Sequence, residues 1–177
     1  MDYFIMKTDR RIRKLPQIQM PKEFSGMGTR RTSVAYVNKH NGVNIEYADY
    51  LEKPFPLIAD KFQKVLQKYQ QDIKFWRVML VEQETGLQRP YCVMHLPQVI
   101  CADKEESRYD DRGEIKEFVL DAEKAEGRRI FLAEDYNQQL LVRLDAAESI
   151  LRREANGIWF EPVKISERSR SYVRSTK

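Results

Sequence analysis

The sequence predicts an α+β domain: a mixed, mainly antiparallel sheet with two principal helices packed on it. Three observations carry this. The run DKFQKVLQKYQ places Phe62, Val65, Leu66 and Tyr69 at i, i+3, i+4 and i+7, one apolar stripe of a 3.6-residue period. Directly after it, IKFWRVMLVEQ is apolar on both sides of an extended strand. Ile73, Phe75, Met79 and Val81 point one way and Trp76, Val78 and Leu80 the other, so the strand belongs inside a sheet covered on both faces. Glu84-Thr85-Gly86 then turns the chain back into RPYCVMHL, the second half of a hairpin.

The remaining elements follow in order. DYFIMK (2–7) reads as a short aromatic strand, and Thr8 to Gly28, with Pro16, Pro21, Gly26 and Gly28, as a long surface connection. RTSVAYV (31–37) is a β-branched strand, and His40-Asn41-Gly42 a turn that tolerates positive φ. IEYADYL fits a short strand or a helical turn equally. Pro54 and Pro56 impose extended backbone ahead of the first helix. Asp60 with Gln63 has the spacing of a capping box, which sets that helix at Asp60 to Tyr69.

Beyond the hairpin, DKEESRYDDRGE (103–114) holds six acids and three bases without an apolar period and reads as a solvated loop. EIKEFVLD and RIFLAED read as strands around a helical turn in DAEKAEG, and Asn137 opens the turn into the strand QQLLVRL. Asp145 with Glu148 marks a second capping box, for a helix from Asp145 to Ala155 that carries Ala147, Ile150 and Leu151 on one face. Arg152 and Arg153 suit its negative end and Asn156-Gly157 its stop. IWFEPV resumes an extended run. Trp76 and Trp159 are both expected in the core.

At 177 residues the chain suits one domain, and size scaling has about 70% of the unfolded surface buried on folding. That domain is read as residues 1–163, with 164–177 a basic, flexible tail. No run of roughly 18 apolar residues spans a membrane, and MDYFIMKTDRR lacks the pattern of a secretory signal. Cys92 and Cys101 are then expected as reduced thiols in a cytoplasm. The formal charge of +4 belongs to the tail, where Lys164, Arg168, Arg170, Arg174 and Lys177 face one acid, Glu167. A neutral body provides no broad face for phosphates, so nucleic acid is not expected as a partner. A nucleic-acid module would have to use Arg10, Arg11, Arg30, Arg31 and the tail.

The inventory of reactive groups is short. His40 and His95 are the only histidines. His95 lies three positions after Cys92, and on a strand that spacing puts the two on opposite faces. An enzyme would need His95 to meet a carboxylate or Cys101 across the sheet. Gly26-Met27-Gly28-Thr29-Arg30-Arg31 lacks the strand and helix that a phosphate-binding loop requires, and no close CxxC or HExxH spacing offers a metal site. Neither a catalytic residue, a cofactor nor a metal is therefore expected. An acidic loop can steer and seat a basic partner, which makes Glu105, Glu106, Asp110 and Asp111 the candidate contact residues.

DYFIMKTD, FPLIADKFQKVLQKY, FWRVMLV with YCVMHLP, and LLVRLDAAESILRREANGIWFEPV together resemble the DUF1629-type bacterial family, immunity family eleven of polymorphic toxin systems. The most specific piece is the closing strand–helix–strand, with Leu144, Asp145, Ser149, Ile150, Arg152 and Gly157. The resemblance covers the chain to about Val163. It implies a non-catalytic cytoplasmic protein that neutralises a cognate toxin by protein–protein binding, and it brings no catalytic residue with it. No small-molecule substrate and no membrane are expected among its partners.

Overall fold

Strands that are apolar on both faces need two covers, and the fold provides them as alternating layers. The computed structural model describes residues 2–21, 32–38 and 44–168. In chain order the strands are β1 (Tyr3–Thr8), β2 (Gln17–Gln19), β3 (Thr32–Asn38), β4 (Tyr50–Leu51) and β5 (Leu57–Ala59). A 3-10 turn (Asp60–Phe62) opens α1 (Gln63–Tyr69), and β6 (Lys74–Glu82), β7 (Gln88–His95) and β8 (Gln98–Val99) follow. Then come β9 (Arg108–Tyr109), β10 (Ile115–Glu117), β11 (Val119–Leu120), β12 (Ile130–Ala133), β13 (Gln139–Arg143), α2 (Leu144–Leu151), β14 (Ile158–Pro162) and β15 (Lys164–Ile165).

One sheet has the order β14-β1-β13-β12-β8 and the other β2-β3-β6-β7-β5-β4. Only β8 with β12 and β3 with β6 pair in parallel within them. This is the α+β, mainly antiparallel arrangement that the sequence predicts. Both helices lie between the two sheets. Met6, Ile130, Leu132, Leu140 and Val142 of the first sheet meet Ile58, Cys92 and Met94 of the second around Phe62, Leu66, Ala146, Ala147 and Ile150 of the helical layer. The other face of the first sheet (Ile5, Phe131, Leu141) is covered by Cys101, Phe118, Leu120 and Ala125 from the chain between β8 and β12. The other face of the second (Val78, Leu80, Tyr91, Val93) is covered by Ile12, Ile45 and Ala48. Among the described residues no helix is long and apolar enough to cross a membrane.

Several local expectations change. Asp60 makes no capping bond, because the chain enters α1 through a 3-10 turn that aims the side chain at the hairpin. There its carboxylate accepts Arg77 Nε at 3.2 Å and the Cys92 thiol at 3.4 Å, and Arg77 and Cys92 are register partners. Asp145 likewise does not cap α2. It lies inside the first turn and pairs with Arg143 at 2.5 Å. That helix ends at Leu151, which is exposed just past Ile150, and two left-handed residues follow it, Glu154 (φ 53°) and then the expected Gly157 (φ 69°). Residues 122–127 form turns, with no helical turn among them. IEYADYL resolves to the two-residue β4 behind a buried Ala48.

Trp159 is 52% exposed. Strand alternation explains it: Ile158 and Phe160 turn to the helical layer, while Trp159 faces out on edge strand β14 beside Lys7. Trp76 is half-buried, edge-to-face with His95 at 5.7 Å. The helical layer reaches only Phe75 on the second face of β6, so Met79 and Val81 remain half-exposed. Their register partners Val34 and Tyr36 on β3 are exposed beside them. His40 and the Gly26 to Arg31 loop lie outside the described residues.

Candidate functional site

The segment between β8 and β12 covers a sheet face and builds the most chemically distinctive surface. Backbone N–H groups of Cys101 and Ala102 donate to the Asp135 carboxylate at 3.2 and 2.7 Å, tying the start of the segment to the β12–β13 turn. Asp103 then accepts the N–H groups of Glu105 at 2.9 Å and Glu106 at 3.0 Å. Ser107 Oγ takes the Val119 N–H at 3.1 Å and donates to the Val119 carbonyl at 3.2 Å. β9 pairs antiparallel with β10, and Asp110 closes their turn by accepting the N–H groups of Arg112 and Glu114, each at 2.9 Å. The expected solvated loop is therefore an ordered two-stranded ribbon. Its strands are too short to show a period, and side-chain-to-backbone bonds supply its order.

Those bonds decide the four candidate acids. Glu105 forms an ion pair with Arg168, and Glu106 Oε1 accepts the Glu167 N–H at 2.9 Å. Asp110 is spent on its turn, and Asp111 is exposed. The residues that engage Glu105 and Glu106 belong to the expected tail. β15 pairs in parallel with β11, Ile165 and Ser166 are buried, and Ser166 hydrogen-bonds Asp103. The fold thus continues past Val163 to at least Arg168. Arg170, Arg174 and Lys177 lie outside the described residues.

Between the ribbon and the β12–β13 turn lies a groove of about 410 Å³. Glu114 and Glu134 line it, and neither carboxylate has an ion pair or hydrogen bond to another described residue. Ile100 at 59% exposure and Tyr109 at 43% give it apolar walls. Tyr136 also lines it, its ring stacked on Phe118 at 4.5 Å and 6°. Lys104 is the cation in the lining. Sequence reasoning placed Glu114 in the acidic loop but missed Ile100, Glu134 and Tyr136. They lie on separate segments that only the packing of the segment onto β12 brings together, and no local pattern announces them.

A second cleft, about 450 Å³, lies at the β6–β7 turn. Glu82 is buried there and accepts Tyr47 Oη at 2.9 Å and Thr85 Oγ1 at 2.6 Å, with the Arg89 guanidinium 4.3 Å over the Tyr47 ring. Burial, then the Glu82 bond, pushes the Tyr47 phenol well above its ordinary value. This constellation clamps the hairpin turn.

The structure does not bring together the pairs that an enzyme reading needs. His95 is exposed on β7 beside Trp76, and Cys101 is buried against Asp135 beneath the first sheet. Burial pushes both thiols up to about 12, with Asp60 near Cys92 and Asp135 near Cys101 adding to the effect. Both therefore stay protonated at neutral pH. At pH 8 the folded protein is expected to resist thiol-specific labelling, while the urea-unfolded chain takes up two equivalents, one for each free cysteine. Rapid labelling of the native chain would contradict this burial.

Among the described residues no group of three or more His, Cys, Asp and Glu side chains could hold a metal. Arg10 is exposed, Arg11 pairs with Asp9 at 2.6 Å, and Arg30 and Arg31 are outside the described residues.

Among the described residues Asp103 and Asp145, with Asp9 and Asp72, are the carboxyls held below their ordinary value, and they give the fold an acid limb. The Glu106 N–H holds Asp103 below the ordinary aspartate value of 3.8, and the Arg143 guanidinium does the same for Asp145. Carboxyls with lowered folded values contribute stability that is complete above 3.8 and is lost as pH falls through those values. Urea midpoints should accordingly fall below pH 3.8, and Asp103→Asn with Asp145→Asn should flatten that fall. An unchanged acid limb in the double variant would assign it to other groups.

Compared with known proteins, the chain matches no protein-family model and no curated protein.

Proposed function

We propose that this chain is a non-catalytic immunity protein of the bacterial cytoplasm that neutralises a cognate polymorphic toxin by binding it. The carrying observation is the acid-rich segment 103–114: an ordered surface feature held at Glu105 and Glu106 by Arg168 and Glu167, with Asp111 and Glu114 unpaired among the described residues. Preorganisation of this kind lowers the entropy lost on binding. Acids presented on it steer a basic partner and set its orientation. The resemblance to the DUF1629-type family supports the same reading independently of the ribbon. Of the residues first singled out, Asp111 is the one left to an incoming partner, whereas Glu105, Glu106 and Asp110 shape the surface that presents it.

The test starts from the reading frame beside this chain's gene, which on this proposal encodes a protein with a toxic C-terminal domain. Co-expression should restore growth, and the two proteins should co-purify as a stoichiometric complex. A chain that neither binds that domain nor protects against it would refute the proposal. Turnover of a substrate by the purified chain, abolished by one side-chain change, would refute it too.

A further inference from the structure

We infer that the groove between the ribbon and the β12–β13 turn receives an arginine side chain presented by the partner protein; this rests on the binding reading above and names the chemistry of its contact.

Charge selects a cation. The groove lining holds three carboxylates, Glu114, Glu134 and Asp135, against one cation, Lys104. Asp135 is spent on the N–H groups of Cys101 and Ala102, which leaves Glu114 and Glu134 as the two carboxylates without a partner among the described residues. Phosphates would be repelled from the same surface, so a nucleic acid does not fit it.

The walls narrow the choice further. Exposed Ile100 and Tyr109, with Ile115 and Tyr136, surround these acids with apolar and aromatic surface. A charge seated there loses water, and its attraction to the carboxylates grows in the lower local dielectric. A planar guanidinium can stack on a tyrosine face while donating two hydrogen bonds to a carboxylate. A lysine ammonium keeps its water more tightly and acts as a point charge, without the planar stacking or the parallel pair of bonds. Tyrosine and arginine are also the side chains most enriched where protein interfaces concentrate their affinity.

The groove is tested without any toxin. The 15N-labelled full chain is titrated with N-acetyl-arginine amide, N-acetyl-lysine amide and the neutral N-acetyl-glutamine amide, followed by backbone NMR shifts. The arginine probe should give saturable shifts at Ile100, Tyr109, Ile115 and Tyr136. The lysine probe should bind at least threefold more weakly, and the glutamine probe should leave these signals in place. Glu114→Gln with Glu134→Gln should weaken the arginine probe at least tenfold. Ile100→Ser should weaken it severalfold with both charges intact, and the spectra themselves report that each variant is folded. Shifts spread evenly over all exposed acids, or a titration unaltered in the Glu114→Gln, Glu134→Gln variant, would overturn the inference.

This outcome is separable from the function proposed above. A groove that binds the arginine probe in a chain that ignores the toxin refutes the immunity reading alone. Protection undiminished in the double variant refutes the groove's role alone.

Discussion

Gly157→Ala is expected to destabilise the fold by roughly 3–5 kcal/mol, from left-handed backbone strain and overpacking together. Gly157 has φ +69°, and a Cβ built there would lie 2.4 Å from Ile12 Cδ1, 2.7 Å from Ala48 Cβ and 3.0 Å from Ala48 Cα. The position joins the two halves of the molecule. The Gly157 carbonyl accepts the Asp9 N–H at 3.0 Å, and next to it the Asp49 N–H donates to the Asn156 carbonyl at 2.7 Å. Ile12 and Ala48 belong to the layer over the second sheet, whereas β14, one residue on, is an edge of the first. The chain cannot retreat from the clash without opening that junction. Gly86→Ala is the control: its φ of +70° brings the same strain, but nothing lies within 4 Å of the added Cβ, so about 1 kcal/mol is expected. Urea midpoints of the two variants decide the matter, and equal midpoints would show that the packing at Gly157 yields freely.

Phe131→Ala should cost about 3–5 kcal/mol, the range for a truncated, fully buried phenylalanine. Phe131 is fully buried in the middle of β12 and meets Tyr3 edge-to-face at 5.9 Å. It packs in the same cluster as Cys101, Phe118 and Leu120, the residues by which the segment carrying the ribbon rests on the first sheet. Loss of the ring therefore removes the platform of the proposed binding face. Hydrogen exchange of ribbon amides from Arg108 to Glu117 should accelerate more than that of β6 and β7, which lie in the other sheet. Uniform acceleration would mean that the ribbon opens only when the whole fold opens.

Much of the fold was legible because it rests on local physics. The stripe of Phe62, Val65, Leu66 and Tyr69 marks α1, and the doubly apolar run at β6 marks a strand inside a sheet, since periods of 3.6 and 2 follow directly from backbone geometry. The expected second cover of β6 reaches only Phe75 and leaves Met79 and Val81 half-exposed. The capping boxes were less secure. Asp60 and Asp145 stand at the right spacing, but a guanidinium reached each carboxylate, from Arg77 and from Arg143, and competed with the backbone N–H groups. Trp159 shows the same limit: composition favours burial, and only its register on an edge strand turns it outward.

By itself the sequence determined the fold class, the principal helices and hairpin, and the concentration of acids between residues 103 and 114. Only the tertiary structure decided which acids remain available. Glu105 and Glu106 are engaged by residues some 60 positions away, and Glu134 joins Glu114 across a groove because the segment between them folds back over the first sheet. The reason is physical: helix and strand patterns are set by neighbours along the chain, whereas the fate of a surface charge is set by whatever distant group the packing places beside it.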